Sequence, residues 1–359
     1  MPKHDMIVIG ASAGGVEALI TLIGSLPADL PAAIFLVLHI PAQSPSLLPD
    51  ILNRAGRLHA VHPGDGQKIQ YGHIYIAPPN HHLLVEEGIV RIVRGPKENR
   101  HRPAIDPLFR SAARTYGTRV VGVILTGSMD DGTAGLLAIK RRGGKTIVQD
   151  PQDALFASMP QSAIAHVEVD HVIPLSKIGL LLAQLAHEDA AEQGSFPISE
   201  DMEVEAKFAA MEIHKGQDGE LVGTPSVFSC PECGGVLREV HDGDLLRFRC
   251  RVDHAFSVDS VMAGQTEVIE GALWTALKNL EESASFTRRL AHIARNGGKT
   301  LLAKRFGERA QEAESNAAVI RQVLAKSSMD PVLNTSADLV VNEEQGSPTI
   351  SQGDPHTEG

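Results

Sequence analysis

The chain has 359 residues, and Lys+Arg 33 against Asp+Glu 44 leaves a formal net charge of −11, which excludes the basic footprint of a nucleic-acid-binding protein. Hydrophobic residues at 43% and charged residues at 21% suit a chain that buries a core, and its length exceeds what one core organises, so two domains with extensions are expected. Aromatics at 4% argue against stacking platforms for single strands, and three cysteines are too few for a disulfide framework.

The apolar run near the N-terminus is too short for a signal-peptide core, and none elsewhere approaches the roughly 20 residues of a membrane span. A cytoplasmic protein that is not inserted in a membrane is expected. Residues 6–9 form an apolar strand, followed by glycines and a helix carrying Val16, Leu19, Ile20 and Ile23. Residues 33–38 (AIFLVL) are a second strand and 47–55 a helix. Between 61 and 93, short alternating stretches divided by Gly-Asp-Gly, Tyr-Gly and Glu-Gly read as antiparallel hairpin structure. Helices follow at 105–116, 133–141 and 175–185, with strands at 119–125, 145–149 and 171–173.

Strands alternating with helices predict an α/β fold: a doubly wound, mainly parallel sheet with an antiparallel hairpin insertion, over residues 1–188. Residues 189–227 are acidic and read as a linker with a modest helix at 203–213. A small cysteine-bearing module spans 228–256, and a helical pair joined at Asn296-Gly297-Gly298 spans 257–328. The first of these helices carries Val261, Val268, Ile269, Leu273, Leu277 and Leu280 at helical spacing. Residues 329–359 are polar and read as a disordered tail.

Gly10-Ala11-Ser12-Ala13-Gly14 joins the first strand to its helix, and three readings compete there. The loop could cradle a phosphate, although Ser12 stands where a dinucleotide site wants glycine and no acidic residue ends the second strand. It matches G-x-S-x-G, the turn that lifts a serine nucleophile above a sheet. It could also be a tight turn with a capping serine. A nucleophile needs a base and an orienting acid, and in a parallel sheet such groups converge at the carboxyl edge. Ser12, His39 and Asp130 or Asp131 each follow a different strand. A single strand-end histidine is ordinarily structural and a strand-end aspartate ordinarily a helix cap, so only their conjunction favours a triad.

On the stretches IGASAGG, LVLHI, YIAPPNHHLLV, RHRPAIDPLFRSAA and GVILTGSMDDGTAGL, the first domain resembles the catalytic domain of chemotaxis protein-glutamate methylesterases (CheB-type). The resemblance implies a catalytic triad of Ser12, His39 and Asp131, the acid being the one that precedes Gly132. It implies hydrolysis of glutamyl γ-methyl esters on a methylated chemoreceptor-like protein, with release of methanol, deamidation of glutamine as a further activity, and no cofactor for catalysis. Backbone N–H groups at Ala13, Ser128 and Met129 would hold the oxyanion. Arg100, His101 and Arg102 would face the Glu-rich methylation segment, with a solvated turn as the plain reading. The family's Gly-Met-Gly-x-Asp-Gly run is altered here to Gly127-Ser128-Met129-Asp130-Asp131-Gly132. The chain also starts directly at the catalytic strand, so regulation by a receiver domain in cis is not expected. The altered run leaves a non-enzymatic signalling adaptor as the second reading, and a nucleotide-binding domain as a weaker third.

All three cysteines fall in one window as Cys230-x2-Cys233 and Cys250-x3-His254. This spacing predicts a structural Cys3His zinc site in a zinc-ribbon-like module, with His241 as a competing ligand. The module and its helices are where a signalling-protein partner would bind.

Overall fold

In a computed structural model that describes residues 2–43, 45–192, 196–198, 200–209 and 223–327, β1 (Met6–Ala11) and β2 (Ala33–Leu38) are buried at every position. Strands with no solvent face need cover on both sides of their sheet. One side is covered by α1 (Gly15–Gly24), α2 (Leu48–Ala55) and α6 (Leu175–Leu185), whose Leu19, Leu22, Leu52 and Leu182 pack on Ile7, Ile9, Ile34 and Leu36. The other is covered by α3 (Ile105–Tyr116), α4 (Thr133–Arg141) and α5 (Ser158–His166), where Phe109, Leu136 and Met159 meet Val8, Phe35 and Val148. The sequence reading had no helix at the position of α5.

Five further strands complete this sheet: β3 (His59–Val61), β4 (His73–Ile76), β7 (Val120–Ile124), β8 (Lys145–Gln149) and β9 (His171–Ile173). Its order is β3-β4-β2-β1-β7-β8-β9, and every pairing is parallel. This corrects the expectation of antiparallel structure throughout residues 61–93. β3 lies at the sheet edge with His59 exposed and Ala60 buried, whereas β4 is enclosed between β3 and β2 and buried from Ile74 to Ile76. The Gly-Asp-Gly and Tyr-Gly turns sit in the crossover between them. The antiparallel hairpin is confined to β5 (His82–Glu86) and β6 (Ile89–Val93), which packs on α3 through a backbone bond from Val85 N–H to Ser111 Oγ at 3.0 Å.

The described part of the acidic stretch carries α7 (Glu200–Ala209). It is packed and not free: Met202, Glu205 and Phe208 are buried. Residues 210–213 of the expected helix lie outside the described residues.

Beyond it, β10 (Thr224–Ser229), β11 (Val236–Asp242), β12 (Leu245–Cys250) and β13 (Ala255–Ser257) form an antiparallel sheet in chain order. Leu237, Phe248, Phe256 and Val261 make its small core. Two long helices follow, α8 (Val258–Asn296) and α9 (Thr300–Ser327). Ser257 Oγ accepts from Ser260 N–H at 3.1 Å and caps α8. Leu273, Leu277 and Leu280 meet Ala317, Ile320 and Leu324 across the pair. Val268 and Ile269, expected on the same stripe, are exposed. The tail expected at 329–359 lies outside the described residues. Among the described residues no helix is long and apolar enough to cross a membrane.

Candidate active site and cysteine cluster

The parallel sheet delivers side chains to one edge because β1, β2 and β7 all end there. Ser12 leaves β1, and its N–H donates to Thr126 O at 3.1 Å, beyond the end of β7. His39 leaves β2, and its N–H donates to Ala11 O at 3.2 Å. Ser12 Oγ lies 3.0 Å from His39 Nδ1, and His39 Nε2 lies 2.7 Å from Asp131 Oδ2. With Nε2 protonated, Nδ1 is free to accept the serine proton, the reverse of the ring orientation in chymotrypsin-type triads. Gly127 lets these segments meet, because a Cβ there would stand 2.9 Å from Ser12 Cβ and 2.6 Å from Met159 Sδ.

Asp131 is seated at the N-terminus of α3. Its Oδ2 accepts from Ile105 N–H at 2.6 Å and its Oδ1 from Asp106 N–H at 3.3 Å, where helix N–H groups favour an anion. Burial opposes its ionisation, yet the His39 hydrogen bond and charge, with the Ile105 and Asn99 donors, hold its carboxyl well below the ordinary range. The neighbouring Asp106 goes the other way. Burial first, then the Asp131 charge, pushes its carboxyl up, while its Oδ1 caps α4 by accepting from Gly132 N–H at 3.1 Å and Gly135 N–H at 2.6 Å. Asp130, the other sequence candidate, turns away to accept from Ser257 Oγ at 2.7 Å. Burial pushes its carboxyl up to about 7.

The sequence-derived oxyanion groups divide. The N–H groups of Ala13 and Ser128 have no acceptor among the described residues, whereas Met129 N–H donates to Ser158 Oγ at 3.2 Å. Met129 also stands at φ 66°, a left-handed conformation uncommon outside glycine and concentrated at functional sites. The Arg100–Arg102 turn is not an open basic surface. Arg100 pairs with Glu267 of α8, and Arg102 binds Asn80 Oδ1 at 2.7 Å and Gly95 O at 2.6 Å. His101 lies under His39, ring centroids 3.8 Å apart and planes 8° apart.

Two residues beside Ser12, His39 and Asp131 are not among the sequence-derived site residues. Asn99 Nδ2 donates to Asp131 Oδ1 and Asp106 Oδ2, both at 2.9 Å. Asp106 holds the start of α4 as described. The signals the sequence offers for them are an acid within RHRPAIDPLFRSAA at the first turn of a predicted helix, and an asparagine just ahead of that stretch.

In the C-terminal module, one donor atom from each of Cys230, Cys233, Cys250 and His254 lies within 4.8 Å of the others. Cys233 Sγ to Cys250 Sγ, Cys230 Sγ to His254 Nδ1 and Cys250 Sγ to His254 Nδ1 are each 3.7 Å. Sulfurs about 2.3 Å from a tetrahedral zinc stand about 3.8 Å apart, so the donor set fits such an ion. His241 is not in the cluster.

A family model described as CheB methylesterase matches residues 7–182, stopping short of the cysteine cluster. A Leptospira interrogans relative named as a protein-glutamate methylesterase/protein-glutamine glutaminase is 40% identical over 184 residues, 51% of this chain and 95% of the relative. A Geobacter metallireducens protein of the same name is 41% identical over 179 residues, 49% of each chain; the chain thus spans about half the length of that relative. The solved catalytic domain of the Thermotoga maritima CheB methylesterase has 34% identity and a TM-score of 0.49, covering 52% of this chain and 99% of that one. On the identity and the near-complete span of the Leptospira relative, this chain belongs to the CheB methylesterase family.

Proposed function

We propose that the chain is a serine hydrolase that cleaves glutamyl γ-methyl esters on a methylated chemoreceptor-like protein in the cytoplasm. The observation that carries this reading is the Ser12–His39–Asp131 relay, with contacts of 3.0 Å and 2.7 Å. Ser12 Oγ attacks the ester carbonyl while His39 Nδ1 takes its proton. Asp131 holds Nε2–H and stabilises the imidazolium as it forms. The Ala13 and Ser128 N–H groups, without an acceptor among the described residues, receive the oxyanion; one such donor is worth about 3 kcal/mol in comparable enzymes.

His39 then returns the proton to the leaving methoxide, releasing methanol and a glutamyl ester of Ser12. A water gives its proton to His39 and adds to that ester, and collapse frees the glutamate carboxylate and restores Ser12. The same relay would release ammonia from a glutaminyl amide, as the relatives' names suggest. Cys230, Cys233, Cys250 and His254 would hold a structural zinc ion that fastens the β10–β11 turn to the β12–β13 turn and takes no part in the hydrolysis.

The test is methanol release from a methylated receptor fragment, comparing the intact chain with Ser12→Ala. Ser12→Ala should reduce kcat by at least about a thousandfold. Equal release from the variant would sink the relay. Retained binding with no release from either protein would favour the adaptor.

A further inference from the structure

Asn99 is buried and stands at φ 48°, a conformation asparagine tolerates better than most residues. Its amide nitrogen serves two carboxylates, Asp131 and Asp106, as described. Its other polar groups are held from the far half of the chain: Asn99 N–H donates to Ala255 O at 2.8 Å, and Asn99 Oδ1 accepts from Ser257 N–H at 2.9 Å. Both partners lie on β13, which begins directly after His254. Ser257 Oγ reaches the residue beside the acid by donating to Asp130.

These contacts decide which way the amide points. With Oδ1 on the Ser257 N–H, the two amide hydrogens must face the carboxylates. A flipped amide would set its oxygen against the Asp131 carboxylate and its NH2 against the Ser257 N–H donor, and both contacts would repel. If the amide were lost, the longer bond from Asp106 N–H, at 3.3 Å, would be the contact left on Asp131 Oδ1. We infer that Asn99 is a positioning residue for Asp131, and that β13 of the cysteine-bearing module sets the orientation of its amide. The active site therefore draws on both halves of the chain, one of them beyond the region matched by the family model. This inference rests on the esterase reading.

The test uses the full chain and two readouts: kcat and KM for methanol release, and the rate at which a fluorophosphonate modifies Ser12. Asn99→Gly keeps the backbone conformation and removes the amide. Ser257→Pro removes the N–H at φ −74°, an angle the proline ring accepts, and Ser257→Ala controls for the lost hydroxyl. Asn99→Gly should lower kcat and the labelling rate by roughly ten- to hundred-fold, with KM within about twofold of wild type. Ser257→Pro should lower both rates further than Ser257→Ala does, and the Asn99→Gly/Ser257→Pro double variant should be no slower than Asn99→Gly alone.

Should Ser257→Pro not fold, Asn99→Asp retains an acceptor for Ser257 N–H and replaces two amide donors by at most one O–H, so its rates should also fall below wild type. Wild-type rates in the Asn99 variants, with Ser12→Ala inert, would overturn this inference and leave the esterase reading standing. Additive losses in the double variant would overturn the role of β13. Undiminished hydrolysis and labelling in Ser12→Ala would remove both readings together.

Discussion

His101 and His39 share one stack at the edge of the sheet, and the proposed reaction turns the upper ring into a cation. A charged His101 would oppose that step. Burial first, then the neighbouring His39, lowers the pKa of His101 to about 4. Unfolded, the same imidazole takes up its proton near pH 6.5. Between those values the unfolded chain binds more protons, so stability is full above pH 6.5 and is lost as the pH falls towards 4. The span corresponds to a loss on the order of 3 kcal/mol. His101→Phe keeps a flat ring in the stack and removes the titration, so its denaturation midpoint should change less than the wild type's between pH 7 and pH 4.5. Equal slopes for the two proteins would count against this assignment.

At the scale of elements, the site depends on close approach of the loops after β1 and β7. In Gly127→Ala the new methyl meets the flexible end of Met159, which is fully buried, and Ser12 Cβ, which is tied to the backbone. The expected result is a fall in kcat of at least roughly tenfold, with a stability cost of about 1–3 kcal/mol. Steady-state kinetics beside urea denaturation separates the two, and unchanged kcat would refute the prediction.

The α3–α4 contact is equally tight. A Cβ on Gly135 would lie 2.5 Å from Phe109 Cβ, and that closeness lets Asp106 reach the first N–H groups of α4. Between β7 and α6 every element except α5 was legible in the sequence, because the others carry their own apolar period. β3 and β4 were misread because short strands divided by glycine turns look alike in sequence whether the chain between them is a hairpin loop or a crossover.

Across the whole molecule, the C-terminal module is joined to the sheet domain by buried charge. Arg110 of α3 binds Glu98 at 2.6 Å and Glu205 of α7 at 3.3 Å, and Glu205 binds Arg247 of β12 at 2.8 Å. Burial raises the Glu205 carboxyl, but Arg247, Arg110 and Arg249 more than reverse this and bring it down to about 2. What composition presents as an acidic linker therefore contains a side chain that ties three elements together.

The proposed zinc belongs to this scale, since its ligands come from two separate turns of the small sheet, β10–β11 and β12–β13. Metal analysis of freshly purified protein should return one zinc per chain. Chelation or Cys233→Ser should remove it and lower the first thermal transition by several degrees, because a structural metal contributes directly to folding. Protein purified without bound metal would end the proposal.

Composition, strand ends, the spacing Cys230-x2-Cys233 with Cys250-x3-His254, and the positions of Ser12 and His39 after apolar strands were determined by the sequence itself. Apart from composition, each is written within one continuous stretch of chain, where covalent spacing and periodicity act. The tertiary structure decided the rest. It put Asp131, and not Asp130, on the N-terminus of α3 against His39. It turned Arg100 and Arg102 onto Glu267 and Asn80, and it brought Ser257 to Asn99 across 158 residues of chain. Such contacts depend on where separate elements dock, and docking follows from the shape and charge of surfaces that no local stretch of sequence contains.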